Sequence, residues 1–131
     1  MCIRDRGVRV YVTINTLLSD TELKEIVDYL LFLYNADVDA LIVQDLGLIW
    51  LIRSLLPDFE LHASTQMTVH NLYGARFLEK LGFKRVILSR EMSLQEIEHI
   101  TRNSGIETEI FGHGALSVSY THLTLPTIYS V

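Results

Sequence analysis

The sequence predicts an α/β protein built from parallel β/α repeats. Five segments with alternating or β-branched apolar residues recur along the 131-residue chain, and segments with helical periodicity lie between them. The strand centres lie roughly 20–30 residues apart, which is about one β/α unit each. Five strands and four helices fit either an open doubly wound sheet or part of a (β/α)₈ barrel, since a whole barrel needs at least about 200 residues.

The predicted strands alternate with helices that carry clear start and stop signals. The strands are Val8–Asn15, Ala40–Gln44, Leu61–Thr65, Arg85–Ser89 and Glu107–Phe111. Ser19 with Glu22, and Ser93 with Glu96, form capping boxes that predict the starts of the first and last helices. Gly82 is predicted to follow the end of the third helix as its C′ residue.

Apolar stripes predict which helix faces are buried. The stripe of the first helix is Leu23, Ile26, Val27, Leu30 and Leu31; that of the third is Leu72, Ala75, Leu78 and Leu81; and that of the fourth is Leu94, Ile97 and Ile100. The second helix, "LGLIWLIRSLL", is apolar nearly all round and ends at Pro57. It is therefore expected to be buried, or to cover a neighbouring subunit or a missing part of the protein.

Composition and charge narrow the functional classes. Hydrophobic residues make up 49% of the chain and charged residues 21%, as is usual for soluble globular proteins. The net charge of −5 argues against nucleic-acid binding through overall charge but leaves a local basic patch open. We expect no membrane span and no signal peptide, and a single cysteine fits a cytoplasmic location. No Cys/His set has the spacing of a metal site, so none is predicted.

Polar residues end every predicted strand, and in a parallel β/α fold these ends form the rim where ligands bind. The candidate substrate-binding residues are Asn15, Gln44, Asp45, Ser64 and Gln66. The candidate catalytic residues are Arg90, which would hold an anionic group, and Glu91 or His113, which would move protons. Each has a structural alternative: turn or cap formation for the strand-end residues, and a local ion pair for Arg90 with Glu91.

The stretch "EIFGHGAL" resembles the first half of a family signature, E-x-F-x-x-G-[SA]-[LIVM]-C. The signature residues are Glu109, Phe111, Gly114, Ala115 and Leu116. Four upstream blocks, "VYVTINTLLSDTEL", "DALIVQDLG", "LHASTQMTVHN" and "GFKRVILSREMSL", occur in the order found in the same family. Together they are similar to the collagenase-like peptidases, peptidase family U32. The resemblance implies a partial TIM-barrel-like domain that lacks the family's first strands and everything after the signature.

The resemblance also implies a set of functions for the intact parent protein. The family name implies a peptidase acting on peptides, and this truncated chain is then expected to be inactive. Family members alternatively act in tRNA or rRNA hydroxylation, with RNA as substrate, or in ubiquinone synthesis. Several carry a four-cysteine iron–sulphur cluster; here Ser117 stands where the signature has its first cysteine, so we expect the cluster only in the parent, if at all.

Two alternatives outside this family follow from the residues alone. The apolar second helix favours a non-enzymatic β/α scaffold that needs the missing barrel half or a partner subunit. A barrel aldolase or isomerase is weaker, because the late barrel loops that bind sugar phosphates are not in this chain.

The two ends of the chain do not continue the neighbouring patterns. Residues 1–6, "MCIRDR", and residues 117–131 resemble translated sequencing-adapter sequence. The predicted domain is therefore 7–116, with a non-native segment on each side.

Overall fold

The computed structural model describes residues 7–112. The elements, in chain order, are β1 Tyr11–Ile14, α1 Asp20–Asn35, β2 Ala40–Val43, α2 Leu46–Leu55, β3 Leu61–Ala63, a short 3₁₀ helix Thr65–Met67, α3 Leu72–Lys80, β4 Arg85–Ile87, α4 Leu94–Asn103 and β5 Glu107–Glu109. All neighbouring strands are parallel. The predicted α/β class, with five strands and four helices, is confirmed.

The strands lie in sequence order, β1-β2-β3-β4-β5. A doubly wound sheet reverses its strand order at a switch point, and this sheet has no reversal between β1 and β5. Right-handed crossovers between successive neighbours place every connecting helix on the same face. This is the arrangement of consecutive units in a β/α barrel.

The strand register divides the sheet into an apolar face and a polar face. Leu41 pairs with Leu61, and Val43 pairs with Ala63; all four are fully buried. They join helix residues such as Leu30, Leu48 and Leu78 in one hydrophobic cluster. The opposite face, which we call the polar face, carries Tyr11, Thr13, Ile42, His62, Arg85, Ile87, Glu107 and Glu109.

The strands are shorter than predicted, because the polar residues at their ends leave the ladder to start the next element. Asp45 caps α2, and Ser64 caps the 3₁₀ helix. The last strand ends at Glu109 rather than at Phe111. The strands were therefore predicted in the right segments, but the predicted ranges also included the loops that follow them.

The helix signals are confirmed, while parts of the predicted stripes are wrong. Both capping boxes are formed, and Gly82 has a left-handed φ of 80° just after α3. In α1, Leu31 is exposed and Leu33 is buried, because the helix faces the sheet through Leu30 and Leu33, which are about one turn apart. Leu94 is also exposed, since it lies in the first turn of α4, and Leu81 is partly exposed as the C-cap of α3.

The apolar helix α2 is buried on one side only. Leu48, Ile49 and Ile52 face the core. Leu46 and Trp50 are 67% and 71% exposed, so the prediction of a fully buried helix is wrong. The expectation that this side covers a partner or a missing part stays a prediction. No helix within residues 7–112 is long and apolar enough to cross a membrane.

Candidate functional site

The predicted site lies at the carboxyl ends of the strands, where the loops after β1 and β2 are tied together. The amide nitrogen of Gln44 donates to the backbone carbonyl of Asn15 at 2.6 Å. Both side chains are half-buried. Gln44 therefore joins two neighbouring loops of the rim.

Asp45 is held by backbone groups. Its Oδ1 accepts a hydrogen bond from the backbone N–H of Leu48 at 2.7 Å, as an N-cap does. Its Oδ2 lies 3.4 Å from the backbone nitrogen of Leu18, which links the loop before α1 to the start of α2. The geometry thus gives the carboxylate a structural role, and its predicted contact with substrate stays a prediction.

Ser64 and Gln66 follow β3 directly. Ser64 is buried, and its Oγ accepts a hydrogen bond from the backbone N–H of Gln66 at 3.3 Å. The side-chain oxygen Oε1 of Gln66 is shielded from solvent and has no hydrogen-bond partner. Ser64 therefore shapes the turn, and Gln66 carries an unused acceptor.

Arg90 lies in the turn between β4 and α4, next to the loop after β5. Its guanidinium carbon is 4.6 Å from the centre of the Phe111 ring, within the range of a cation–π contact. Two of its nitrogens, Nε and Nη1, are shielded from solvent and have no hydrogen-bond partner among residues 7–112, and the same holds for the Oγ of Ser89. Glu91 is half-buried in the same turn. His113 and the signature residues Gly114, Ala115 and Leu116 lie outside the described residues.

The polar face carries a charged network that sequence reasoning missed. Arg85 donates from Nε and Nη2 to Glu107, at 3.1 and 2.8 Å, and from Nη1 to Glu109 at 3.2 Å. These hydrogen bonds, chiefly the one with Glu107, raise the pKa of Arg85; the bond from Arg85, and then that from Lys84, lowers the pKa of Glu107. The side chain of the signature residue Glu109 is therefore held by its hydrogen bond from Arg85 of β4.

The network continues to the first strand. The Arg85 guanidinium lies 5.5 Å from the ring centre of Tyr11, which packs edge-to-face on His62 at 4.7 Å. His62 is 1% exposed, and its Nε2 is 2.8 Å from Glu60. The sequence pattern could have predicted these contacts. Arg85 is the first residue of β4, and Glu107 and Glu109 alternate along β5, so the opposite charges lie on the same face of two paired strands.

A separate surface cavity of about 690 Å³ lies between the amino-terminal ends of α3 and α4. Its lining residues are His70, Asn71, Leu72, Tyr73, Ser93, Gln95, Glu96, His99 and Ile100. None of the predicted rim residues lines it.

The chain does not fit a four-cysteine cluster. Such a cluster needs four thiolate ligands, whereas Cys2 is the single cysteine of the sequence. Among residues 7–112, no group of three or more His, Cys, Asp or Glu side chains is arranged to hold a metal ion. No step at the rim is therefore derived through a cluster.

Five parallel strands in sequential order, alternating with four helices within residues 7–112, define this part of the chain as a parallel α/β protein with polar residues at its strand ends. The structure of the U32 peptidase Mk0906 has the same fold, with a TM-score of 0.61 and 21% identity, covering 82% of this chain and 47% of that one. The family model of Peptidase family U32 matches residues 2–125. The chain belongs to this family, as the signature predicted.

Curated relatives carry names from RNA modification and from proteolysis. The 23S rRNA 5-hydroxycytidine C2501 synthase of Escherichia coli is 42% identical over 87% of this chain and 17% of its own length. The tRNA hydroxylation protein P of the same organism is 41% identical over 87% of this chain and 25% of its own length. A protein of Methanocaldococcus jannaschii named as an uncharacterized protease is 41% identical over 88% and 29%. The chain thus spans less than a third of each of these relatives.

Proposed function

We propose that this chain is a segment of the barrel domain of an RNA-hydroxylating enzyme that acts on tRNA or rRNA. The observation that carries the proposal is the identity of 42% and 41% to two proteins named for rRNA and tRNA hydroxylation, each aligned over 87% of this chain. In this proposal RNA is the substrate of the intact parent, which acts in the cytoplasm. The remaining barrel strands, and any iron–sulphur ligands, belong to parts of the parent outside this chain.

The rim offers chemistry suited to a nucleotide. Proteins recognise unpaired RNA by stacking bases on aromatic rings or arginine planes and by contacting phosphates with cations. Arg90 and Phe111 place these two groups together at the ends of β4 and β5. The net charge of −5 is compatible with this local recognition, because phosphate contacts elsewhere in the parent would supply the general affinity.

A peptidase is the second candidate, supported by the family and by the relative named as a protease. A serine nucleophile needs a base within hydrogen-bond reach. In this structure the Oγ of Ser64 accepts from a backbone N–H, the Oγ of Ser89 has no partner, and His62 bonds to Glu60. Within residues 7–112, neither Ser64 nor Ser89 is hydrogen-bonded to a basic side chain, which favours hydroxylation over serine-type proteolysis.

To test this proposal, the matching 114-residue segment of the Escherichia coli rRNA synthase is replaced by this chain. The chimera is then expressed in cells that lack the native enzyme. Hydroxylated cytidine in 23S rRNA is then measured by mass spectrometry, and a parallel chimera of tRNA hydroxylation protein P is assayed on tRNA. We expect at least one chimera to restore the modified nucleoside. The purified chimeras are also assayed for cleavage of gelatin and casein.

Two variants provide the control within each active chimera. Arg90→Gln is expected to abolish most of the modification, and Arg102→Gln, with the same change of charge on the exposed side of α4, is expected to leave it intact. A folded chimera that cleaves peptide and modifies no RNA would replace this proposal by the peptidase. Folded chimeras with neither activity would favour a scaffold role.

A further inference from the structure

We propose that Arg90, Ser89 and Gln66 form a binding site for an oxyanion, either a carboxylate or a phosphate, with Phe111 as one wall. The site lies beyond the carboxyl ends of β3 and β4. Only the identification of the ligand as a substrate group rests on the proposed function. Binding of the oxyanion itself is a property of these residues and is measured without RNA.

Two nitrogens of the Arg90 guanidinium, Nε and Nη1, are left without an acceptor among the described residues. The contact with Phe111 at 4.6 Å satisfies the positive charge through the ring face. It provides no acceptor for the in-plane N–H groups, and Nε and Nη1 have no other partner. A buried donor without a partner is unfavourable, so an acceptor that reaches either of these N–H groups gains the full benefit of the hydrogen bond.

Unsatisfied polar atoms are concentrated at this place. Within residues 7–112, five buried side-chain atoms lack a hydrogen-bond partner, and four of them belong to Gln66, Ser89 and Arg90. The backbone N–H of Ser89 donates to the carbonyl of Val69 at 3.1 Å, which ties the end of β4 to the segment that follows β3. Three residues that follow two neighbouring strands thus carry unsatisfied polar atoms, and this is the basis for inferring a common ligand.

Two other arginines, Arg85 in β4 and Arg53 in α2, are used differently. Arg85 donates from all three nitrogens to Glu107 and Glu109. Arg53 has one unsatisfied nitrogen, but it donates from Nη1 and Nη2 to three backbone carbonyls, those of Pro57, Phe59 and Gly82. Both are structural, whereas Arg90 keeps two shielded donors at the rim where parallel β/α proteins bind ligands.

The donor set defines the chemical class of the ligand. The Nε and Nη1 N–H groups of Arg90 can each donate a charge-assisted hydrogen bond to an oxygen of a carboxylate or phosphate, and the Ser89 hydroxyl adds a third donor. The Oε1 of Gln66 is an acceptor and fits an O–H group on the same ligand. Phosphate carries both charged oxygens and a P–OH group at neutral pH, while a simple carboxylate carries only the former. We therefore expect phosphate to bind more tightly than acetate.

The experiment titrates the full 131-residue chain, labelled with ¹⁵N, with inorganic phosphate and separately with acetate, at constant ionic strength. The side-chain Nε–Hε resonance of Arg90 and the backbone resonance of Ser89 report binding. Saturable binding of phosphate that is tighter than that of acetate assigns the ligand group to a phosphate that carries a P–OH group, such as a phosphate monoester, and tighter binding of acetate assigns it to a carboxylate. Arg90→Gln is expected to weaken either by about tenfold or more, since hydrogen bonds to charged groups are among the strongest.

Three further variants test the same binding site even if Arg90→Gln does not fold. Arg90→Lys keeps the charge but loses the planar edge, and Ser89→Ala removes one donor; both are expected to bind several-fold more weakly. Arg102→Gln, an exposed arginine paired with Glu98 on α4, is expected to bind as the parent chain does. The proposal is overturned when neither anion shifts the Arg90 resonance, or when Arg90→Lys and Ser89→Ala bind as tightly as the parent chain.

Discussion

Replacing Asp45 separates its observed role as a helix cap from its predicted role as a substrate ligand. In Asp45→Ala, the backbone N–H of Leu48 loses its 2.7 Å partner and that of Leu18 loses its 3.4 Å contact. Loss of an N-cap side chain lowers the free energy of unfolding by about 0.5–2 kcal/mol, and the second, longer contact favours a value of about 1–2 kcal/mol. Asp45→Asn keeps an oxygen that caps equally well, so we expect it to be nearly neutral.

Urea unfolding of the purified chain, followed by circular dichroism, measures these changes. A loss of about 1–2 kcal/mol corresponds to a fall in the unfolding midpoint of about 0.5–1 M at a typical slope of about 2 kcal/mol per M. Asn71→Ala is a matched control, because Asn71 caps α3 through the same kind of bond to Gly74 at 2.8 Å. Its expected loss is about 1 kcal/mol.

The result that refutes the capping role is a stable Asp45→Ala variant, with an unfolding midpoint equal to that of the parent chain. Activity in the RNA-modifying chimera supplies the second readout. If Asp45→Asn keeps both stability and activity, the carboxylate charge is not needed by the substrate. If it keeps stability and loses activity, Asp45 contacts substrate in addition to capping α2.

Three further predictions concern the core, the capping boxes and one glycine. In α2, Leu48→Ala should cost about 2–5 kcal/mol of stability and Leu46→Ala less than about 0.5 kcal/mol, because the first is fully buried and the second is 67% exposed; equal losses in urea unfolding would contradict the assigned face. Hydrogen bonds from the capping serines lower the pKa of Glu22 and Glu96. The stability that these two carboxylates contribute is therefore present above the ordinary carboxyl pKa of about 4.3 and is lost as pH falls through the lowered values. When both are changed to Gln, the unfolding midpoint should fall less below pH 5 than that of the parent chain, and an equal fall would contradict this prediction. Gly82→Ala should cost about 1–2 kcal/mol at its φ of 80° and Gly82→Asn clearly less, which thermal unfolding of the two variants compares directly.

The local signals in the sequence were sufficient for the elements and for the family. Capping boxes, apolar stripes and Gly82 act within one or two helical turns, so their effect is visible from neighbouring residues alone. Signature residues separated by a few positions likewise identified the family that the whole-chain match confirms. The same local signals placed Leu31 on the wrong side of α1, because the final rotation of a helix is set by what it packs against.

The candidate site was predictable in position but not in its contacts. The sequence placed polar residues at the ends of parallel strands and selected Arg90, and the fold puts it on the expected rim. Its pairing with Phe111, 21 positions along the chain, and the hydrogen bonds of Arg85 to Glu107 and Glu109 depend on β4 lying beside β5. Strand order is a long-range property that no local pattern encodes.

By itself, then, the sequence determined the order of strands and helices, their caps and the family, since these depend on chemistry between near neighbours. Only the tertiary structure decided the sequential strand order, the division into an apolar and a polar face, and which arginine is satisfied. Arg85 and Arg90 are five residues apart and look alike in the sequence. Their surroundings differ, because β5 presents two carboxylates to the first, whereas the loop after β5 presents an aromatic ring to the second.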